Sequence, residues 1–546
     1  MIFGRMPIGA AEGCILGHSV RFAAGSFKKG RVLTRDDVDQ LAAAGIESVY
    51  AARLDADDVG EDEAAGAVAG ALAGAGVEVA EPFTGRCNLY ASQAGIARID
   101  ADLIRRINHL HESVTVATVP DHALVEARQM VATVKIIPFA VPQAVVEAAR
   151  KLLATANAAP VTLSPLRARP VGLVVTRLAG DKPSLIDKGI NAVRQRVESL
   201  GSTLLDPLVV AHDTHEVAAA LAALREQGAS PVLILGASAI VDRGDVVPAG
   251  LLAAGGDVLH LGMPVDPGNL MMLGRLESEP VIGVPTCARS PKLNGFDWVL
   301  QRLLADIEVT PADIMDMGAG GLLTEIPTRP SPRDRTARSE LPSPAVQKAP
   351  QVAGIVLAAG RSTRMGSRNK LLIPLAGKPM VRHVVEAAKA SRLARVIVVT
   401  GHDAEAVREA VAGLDVAFIH NPDYAEGLST SLKAGIRAVS EEDDAALICL
   451  GDMPLVTTAD INRLIAAFNP AEGRAICIAT VAGKRGNPVL WGADFFSRIE
   501  QLTGDMGARQ IMSDYPEAIC EVAMTGEGAL IDLDTPEALA HHFQGA

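Results

Sequence analysis

The chain has 546 residues, too many for one hydrophobic core, and ordinary domain sizes divide it into roughly three or four folding units. Its net charge of −13 excludes nonspecific attraction to nucleic acid or an anionic membrane, so any anionic ligand must be held by local devices. Aromatic residues are only 3% of the chain against 49% apolar residues, which predicts aliphatic cores of the kind found where Ala-rich helices cover parallel strands.

The six cysteines (Cys14, Cys87, Cys287, Cys449, Cys477, Cys520) are scattered without a C-x-x-C pair. Neither a disulfide framework nor a zinc site is expected, and reduced, buried thiols are. Glu12 interrupts the only apolar patch near the start, so no export signal is expected and the location is read as cytoplasmic. The longest apolar stretch, 131–146, contains Lys135, Pro138 and Pro142 and is too short and broken to span a bilayer.

Residues 1–165 read as mixed α+β, with short strands at RVLT, SVYAARL and SVTVATV and Gly-rich connections. His109 and His111 form an H-x-H pair there, but no Cys or carboxylate pattern accompanies them, so core or solvated histidines are expected. Residues 166–326 alternate strand and helix: VGLVV, IDKGINAVRQRVESLG, STLLDPLVV, HEVAAALAALREQG, PVLILGAS. That is the grammar of an α/β domain. From 327 to 350 the sequence PTRPSPRDRTARSELPSPAVQKAP has no apolar periodicity and reads as an extended linker. Residues 351–546 resume the alternation, from VAGIVLA through RVIVVT and VAFIH to ALICL, which predicts crossovers and a mostly parallel sheet. Ligands of such sheets lie at the carboxyl ends of the strands.

The first of these strands runs into LAAGRSTRMGSRNK, residues 357–370. Gly360 and Gly366 allow close backbone approach, the loop amides can hold phosphate oxygens, and Arg364 and Lys370 can neutralise a triphosphate. The loop matches neither the Walker A pattern nor the dinucleotide fingerprint. In GDMP, Asp452 stands at the end of the ALICL strand, where a carboxylate can hold Mg²⁺ against phosphates, although an Asp before Pro454 is also ordinary turn chemistry. LIDLDTPEAL offers Asp532 and Asp534 on one face of an expected strand; either can complete a metal site, and Asp534 can instead cap a following helix.

The loop's L-A-A-G, R-M-G and following Lys resemble the signature of the MobA-like nucleotidyltransferases, which implies a Rossmann-like α/β domain. HNPDYAEGLSTSLKAG, GDMPLVT, RGNPVL and GDMGAR extend the resemblance over 352–543, to the molybdenum cofactor cytidylyltransferases. It implies transfer of CMP from CTP to molybdopterin with Mg²⁺. Arg364, Lys370 and Asp452 would be catalytic, and Asp452 and Asp532 would bind the metal. Leu357, Ala358, Ala359, Gly360, Gly366, Ser429 and Ser431 would lie at the nucleotide, and Arg485, Asn487 and Arg509 at the acceptor. Many members of that family have His where Asn487 stands. The guanylyltransferase relatives read LAGG; the Ala359 methyl narrows the space over the base, which suits a pyrimidine.

In the preceding α/β domain, GASAIVDRGD (236–245), GMPVDPG and VIGVPTCARSPKLNGFDWVL resemble a divergent molybdopterin-binding domain, with Ser238, Asp242 and Asp245 nearest the pterin. Competing readings are a guanylyl or sugar-phosphate nucleotidyltransferase and a non-catalytic carrier that delivers the cofactor to an apo-molybdoenzyme or its chaperone. Lys370 together with Asp452 speaks against pure carriage, which needs no phosphate-transfer residues.

Overall fold

The computed structural model describes residues 1–23, 25–323, 348–361, 369–502 and 508–533. Its largest sheets are α/β, as the alternating pattern predicts. The carboxyl-terminal sheet orders its strands Ala417–His420, Arg395–Thr400, Val352–Ala358, Ala445–Leu450, Lys484–Gly492, Ile476–Val481 and Ile519–Ala523. The first four are mutually parallel, and Lys484–Gly492 runs against both neighbours. Val352–Ala358 is buried at every position, because helices cover both faces of a central parallel strand.

One of those helices, Leu428–Arg437, sits unusually close to the sheet. A Cβ on Gly435 would lie 2.6 Å from Ile355 Cγ2 and 3.2 Å from Val399 Cγ2, so the glycine is what allows the approach. The helix carries Ser429 and Ser431, which ties this packing to the candidate site.

The middle unit has its own sheet, in the order Thr203–Leu204, Pro170–Arg177, Val232–Leu235, Glu279–Val284, Met272–Leu276 and Asp257–Leu261. Leu208–Ala211 also pairs in parallel with Pro170–Arg177, so the stretch expected as the single strand STLLDPLVV is two strands broken at Leu205–Pro207. Proline cannot donate to a ladder, and it interrupts this one.

Residues 1–165 contain small antiparallel sheets and two separate apolar clusters, one built around Leu16, Leu33 and Leu41 and one around Leu72, Leu89 and Ile136. SVYAARL and SVTVATV contribute the strands Ser48–Arg53 and Val114–Thr118. RVLT does not form a strand: Val32 makes one isolated bridge to Ile15, and Thr34 caps the helix Arg35–Ala43. The Thr34 hydroxyl accepts from the Asp37 amide, a stronger local signal than β-propensity.

Most of the expected linker lies outside the described residues. Its end is anchored rather than free, since Lys348 bridges to Gln129 and the Ala349 amide donates to the Arg128 carbonyl at 2.8 Å. Among the cysteines, Cys14, Cys87, Cys449 and Cys477 are buried as expected, but Cys287 is exposed. No described helix is long and apolar enough to cross a membrane.

Replacing Gly435 with Val should lower the stability of the carboxyl-terminal unit by about 1–3 kcal/mol, the usual cost of overpacking. Urea unfolding followed through Trp491, in a Trp298→Phe background, measures it. An unchanged midpoint would mean that the helix does not depend on this contact.

Candidate functional site

A cavity of about 390 Å³ opens at the carboxyl edge of the carboxyl-terminal sheet. Its walls include Leu357, Ala359, Gly360, Arg361, Lys370, Tyr424, Gly427, Ser431 and Asp452. The volume lies in the range of small-ligand pockets.

Two adjacent parallel strands create it. Val352–Ala358 delivers Ala359 and Gly360, and Ala445–Leu450 delivers Gly451 and Asp452. The Gly451 amide donates to the Leu357 carbonyl at 3.0 Å, and a Cβ on Gly451 would stand 2.9 Å from that oxygen. Only glycine lets the two strand ends approach so closely before the chain turns toward Asp452.

Lys370 begins a single 3₁₀ turn, Lys370–Leu372, and its ammonium is ion-paired with the Asp452 carboxylate, both side chains being 16% exposed. Asn369 fixes the turn from the other side. Its side-chain oxygen accepts from the Leu371 amide at 3.1 Å, and its amide nitrogen donates to Asp403 at 3.3 Å. Asn369 and Asp403 were not singled out from sequence; an Asn directly before the expected phosphate-binding Lys was the available clue.

Helix Leu428–Arg437 points its amino end at the cavity, with Gly427 at φ +119° in the N-cap position. The helix dipole at this end favours an anion. Ser431 lines the cavity, and its hydroxyl accepts from Asn421 at 2.9 Å. Ser429 is buried but is not among the lining residues, and Ala358 likewise faces the core.

Arg364 and Gly366 lie outside the described residues, as does Asp534. Asp532 is exposed and does not lie on a strand: residues 528–530 form a 3₁₀ turn and 531–533 have no regular structure, so the strand expected at LIDLD does not form over its described residues. The turn still returns the chain to the site, because the Leu533 amide donates to the Asp452 carbonyl at 3.1 Å. Asp452 and Asp532 are therefore neighbours along this backbone contact. Asp532 is not among the residues lining the cavity, and no described group of three or more His, Cys, Asp or Glu could hold a metal ion.

Of the residues expected at the acceptor, Arg485 hydrogen-bonds Glu521 at 2.9 Å on a neighbouring part of the sheet. Asn487 lies on the strand Lys484–Gly492, and Arg509 opens the helix Arg509–Asp514, its side chain outside the described residues. Ser238, Asp242 and Asp245 lie in the loop between strand Val232–Leu235 of the middle sheet and helix Val246–Ala253. The Asp245 carboxylate accepts from the Val241 and Asp242 amides at 2.6 and 2.9 Å, and these bonds hold it below the usual carboxylate range. Asp242 accepts from Gly244 at 2.8 Å. Both aspartates thus brace their own loop.

Ser238 has a partner that sequence reasoning missed. Its hydroxyl lies 3.1 Å from His212 Nε2, and His212 Nδ1 lies 2.8 Å from the hydroxyl of buried Thr176. Thr176 also accepts from the Ala237 amide, so three strand ends meet in one polar chain.

The Lys370–Asp452 contact predicts a coupling free energy of roughly 0.5–3 kcal/mol between Lys370→Met and Asp452→Asn, the range for side chains in direct contact. A double-mutant cycle in urea measures it, and strictly additive effects would show that the two groups do not meet.

Residues 354–519 match the family described as MobA-like NTP transferase domain, and residues 5–53 match a domain of unknown function. Bifunctional protein GlmU of Cupriavidus necator is 43% identical over 115 residues, which is 20% of this chain and 24% of that protein. Its counterpart in Rhizorhabdus wittichii is 35% identical over 170 residues, 31% of this chain and 35% of that protein. The chain therefore spans about a quarter to a third of the length of these curated relatives. Among solved structures, a nucleotidyl transferase from Methanothermobacter thermautotroptrophicus is 27% identical, covering 36% of this chain and 96% of its own, at a TM-score of 0.33. The carboxyl-terminal part of this chain, residues 354–519, is thus similar to the MobA-like NTP transferase domain.

Proposed function

We propose that this domain transfers CMP from CTP to the terminal phosphate of molybdopterin, giving molybdopterin cytosine dinucleotide and pyrophosphate. The observation that carries the proposal is the meeting, in one cavity, of the Lys370–Asp452 pair, the Ala359–Gly360 backbone and the amino end of helix Leu428–Arg437. A carrier needs no such convergence of cation, carboxylate and amides.

An oxygen of the acceptor phosphate forms a bond to the α-phosphorus of CTP. The bond from that phosphorus to the bridging oxygen breaks, and its electron pair leaves on pyrophosphate. The attacking oxygen is already anionic, so no protein nucleophile or general base is required. Lys370 exchanges its pairing with Asp452 for the phosphates and stabilises charge on the leaving oxygens. Mg²⁺ bound by Asp452 and Asp532 would supply further positive charge at the phosphate oxygens. By the family resemblance, Arg364 and Gly366 complete the phosphate end, while Arg485, Asn487 and Arg509 address the acceptor. Positioning then carries most of the rate.

Ala359 supports CTP over a purine nucleotide, because its methyl closes one side of the cavity. The middle unit, with Ser238, Asp242 and Asp245, binds or hands over the pterin. His212 orients Ser238 there through the bond described above.

The test is incubation of the full chain with Mg²⁺, molybdopterin and CTP, GTP or ATP separately, following pyrophosphate and dinucleotide. Turnover with CTP alone is expected; preference for GTP moves the activity to the guanylyl branch, and none with any nucleotide returns the carrier. Asp452→Ala should reduce turnover by roughly a hundredfold or more while the fold persists, the scale of losing one group that stabilises transition-state charge.

A further inference from the structure

Ala359 and Tyr424 line the cavity, and Gly401 packs against both of them. Gly401 follows the strand Arg395–Thr400 directly, and Tyr424 opens the short 3₁₀ turn Tyr424–Glu426. A Cβ on Gly401 would lie 2.6 Å from Tyr424 Cβ, 2.8 Å from Tyr424 Cγ and 2.8 Å from the Ala359 Cβ. These three residues are packed so tightly that a methyl at 401 has no place. The next amide, of His402, donates to the Ala359 carbonyl at 3.2 Å and locks the two strand ends together. The His402 ring stands 6.0 Å from the Tyr424 ring, tilted by 41°, and supports its outer side.

Tyr424 is half-buried and lines the cavity, in a chain with only four tyrosines. An aromatic ring packed against a strand end and open to a cavity offers a stacking platform, since every base has a π-face. The cations and carboxylate of the cavity already account for its phosphate side.

We infer that Tyr424, seated by the absence of a side chain at Gly401, is the surface on which the nucleobase stacks. The inference rests on the nucleotidyl-transfer proposal and deepens it by assigning the base end of the same cavity. Tyr424 acts here by binding rather than by touching the reacting phosphates, so its loss weakens nucleotide affinity more than it slows the chemical step.

The experiment is equilibrium binding of CTP and of inorganic tripolyphosphate, which has no base, to the full chain and to its Tyr424→Ala and Tyr424→Phe variants. Tyr424→Ala should bind CTP about tenfold or more weakly, the scale of one base–aromatic stack, and bind tripolyphosphate as before. Tyr424→Phe should retain CTP. Unchanged CTP affinity in Tyr424→Ala, or an equal loss for tripolyphosphate, would overturn the assignment, the second by showing a structural role. Failure of the unaltered chain to bind any nucleoside triphosphate would instead remove the transferase proposal beneath it.

Discussion

The contact between the Gly451 amide and the Leu357 carbonyl, made where two parallel strands end side by side, governs the rest of the candidate site. Parallel pairing places the carboxyl ends of both strands on one edge, and the glycine lets the chain leave its strand without forcing the neighbour away. Asp452 then follows at a fixed offset from Ala359 and Gly360. Lys370 reaches it from the far side of the same loop, and the turn at residues 528–530 folds back to meet the Asp452 carbonyl. A shift of the two strand ends by one ångström would disturb all of these together, which is why positional catalysis is built on strand edges rather than on free loops.

Electrostatics constrains the site in a second way. A protein of net charge −13 repels polyphosphate at long range, so recognition must come from groups that act within a few ångströms. The Lys370–Asp452 ion pair keeps both charges compensated in the partly desolvated cavity. Its worth for stability is limited by the cost of desolvating both groups. The amino end of helix Leu428–Arg437 adds attraction for anions without adding net charge.

Alongside the ion pairs Arg128–Asp444 and Lys348–Glu126, cations placed against neutral oxygens join the amino-terminal region to the transferase domain. Lys28 donates to the Ile519 carbonyl at 3.2 Å, Arg128 to the Ala349 carbonyl and the Gln351 side chain, and Arg392 to the Val79 carbonyl. Arg31 lies against Gly483, in the turn that leads into the strand of Arg485 and Asn487. Carbonyl oxygens are acceptors that do not titrate, so these contacts persist across pH while still weakening with salt less than exposed ion pairs would.

Much of the architecture was legible in the sequence, because periodicity and turn chemistry are local. VAGIVLA, RVIVVT, VAFIH and ALICL all became parallel strands of one sheet, and the helices between them lie where amphipathic spacing put them. RVLT misled because a helix cap outweighed its β-branched residues, and LIDLD because alternation over so few residues does not distinguish a strand from a returning turn. By itself the sequence determined the class of fold, the loop after the first strand of the last domain, and the residue types available for phosphate chemistry. Only the tertiary structure decided that Lys370 meets Asp452 across 82 residues, that Asn369 reaches Asp403, that Gly401 seats Tyr424, and that Ser238 is paired with His212. Those pairings depend on which strands become neighbours and how closely their ends approach, quantities fixed by the packing of the whole sheet and encoded in no single stretch of the chain.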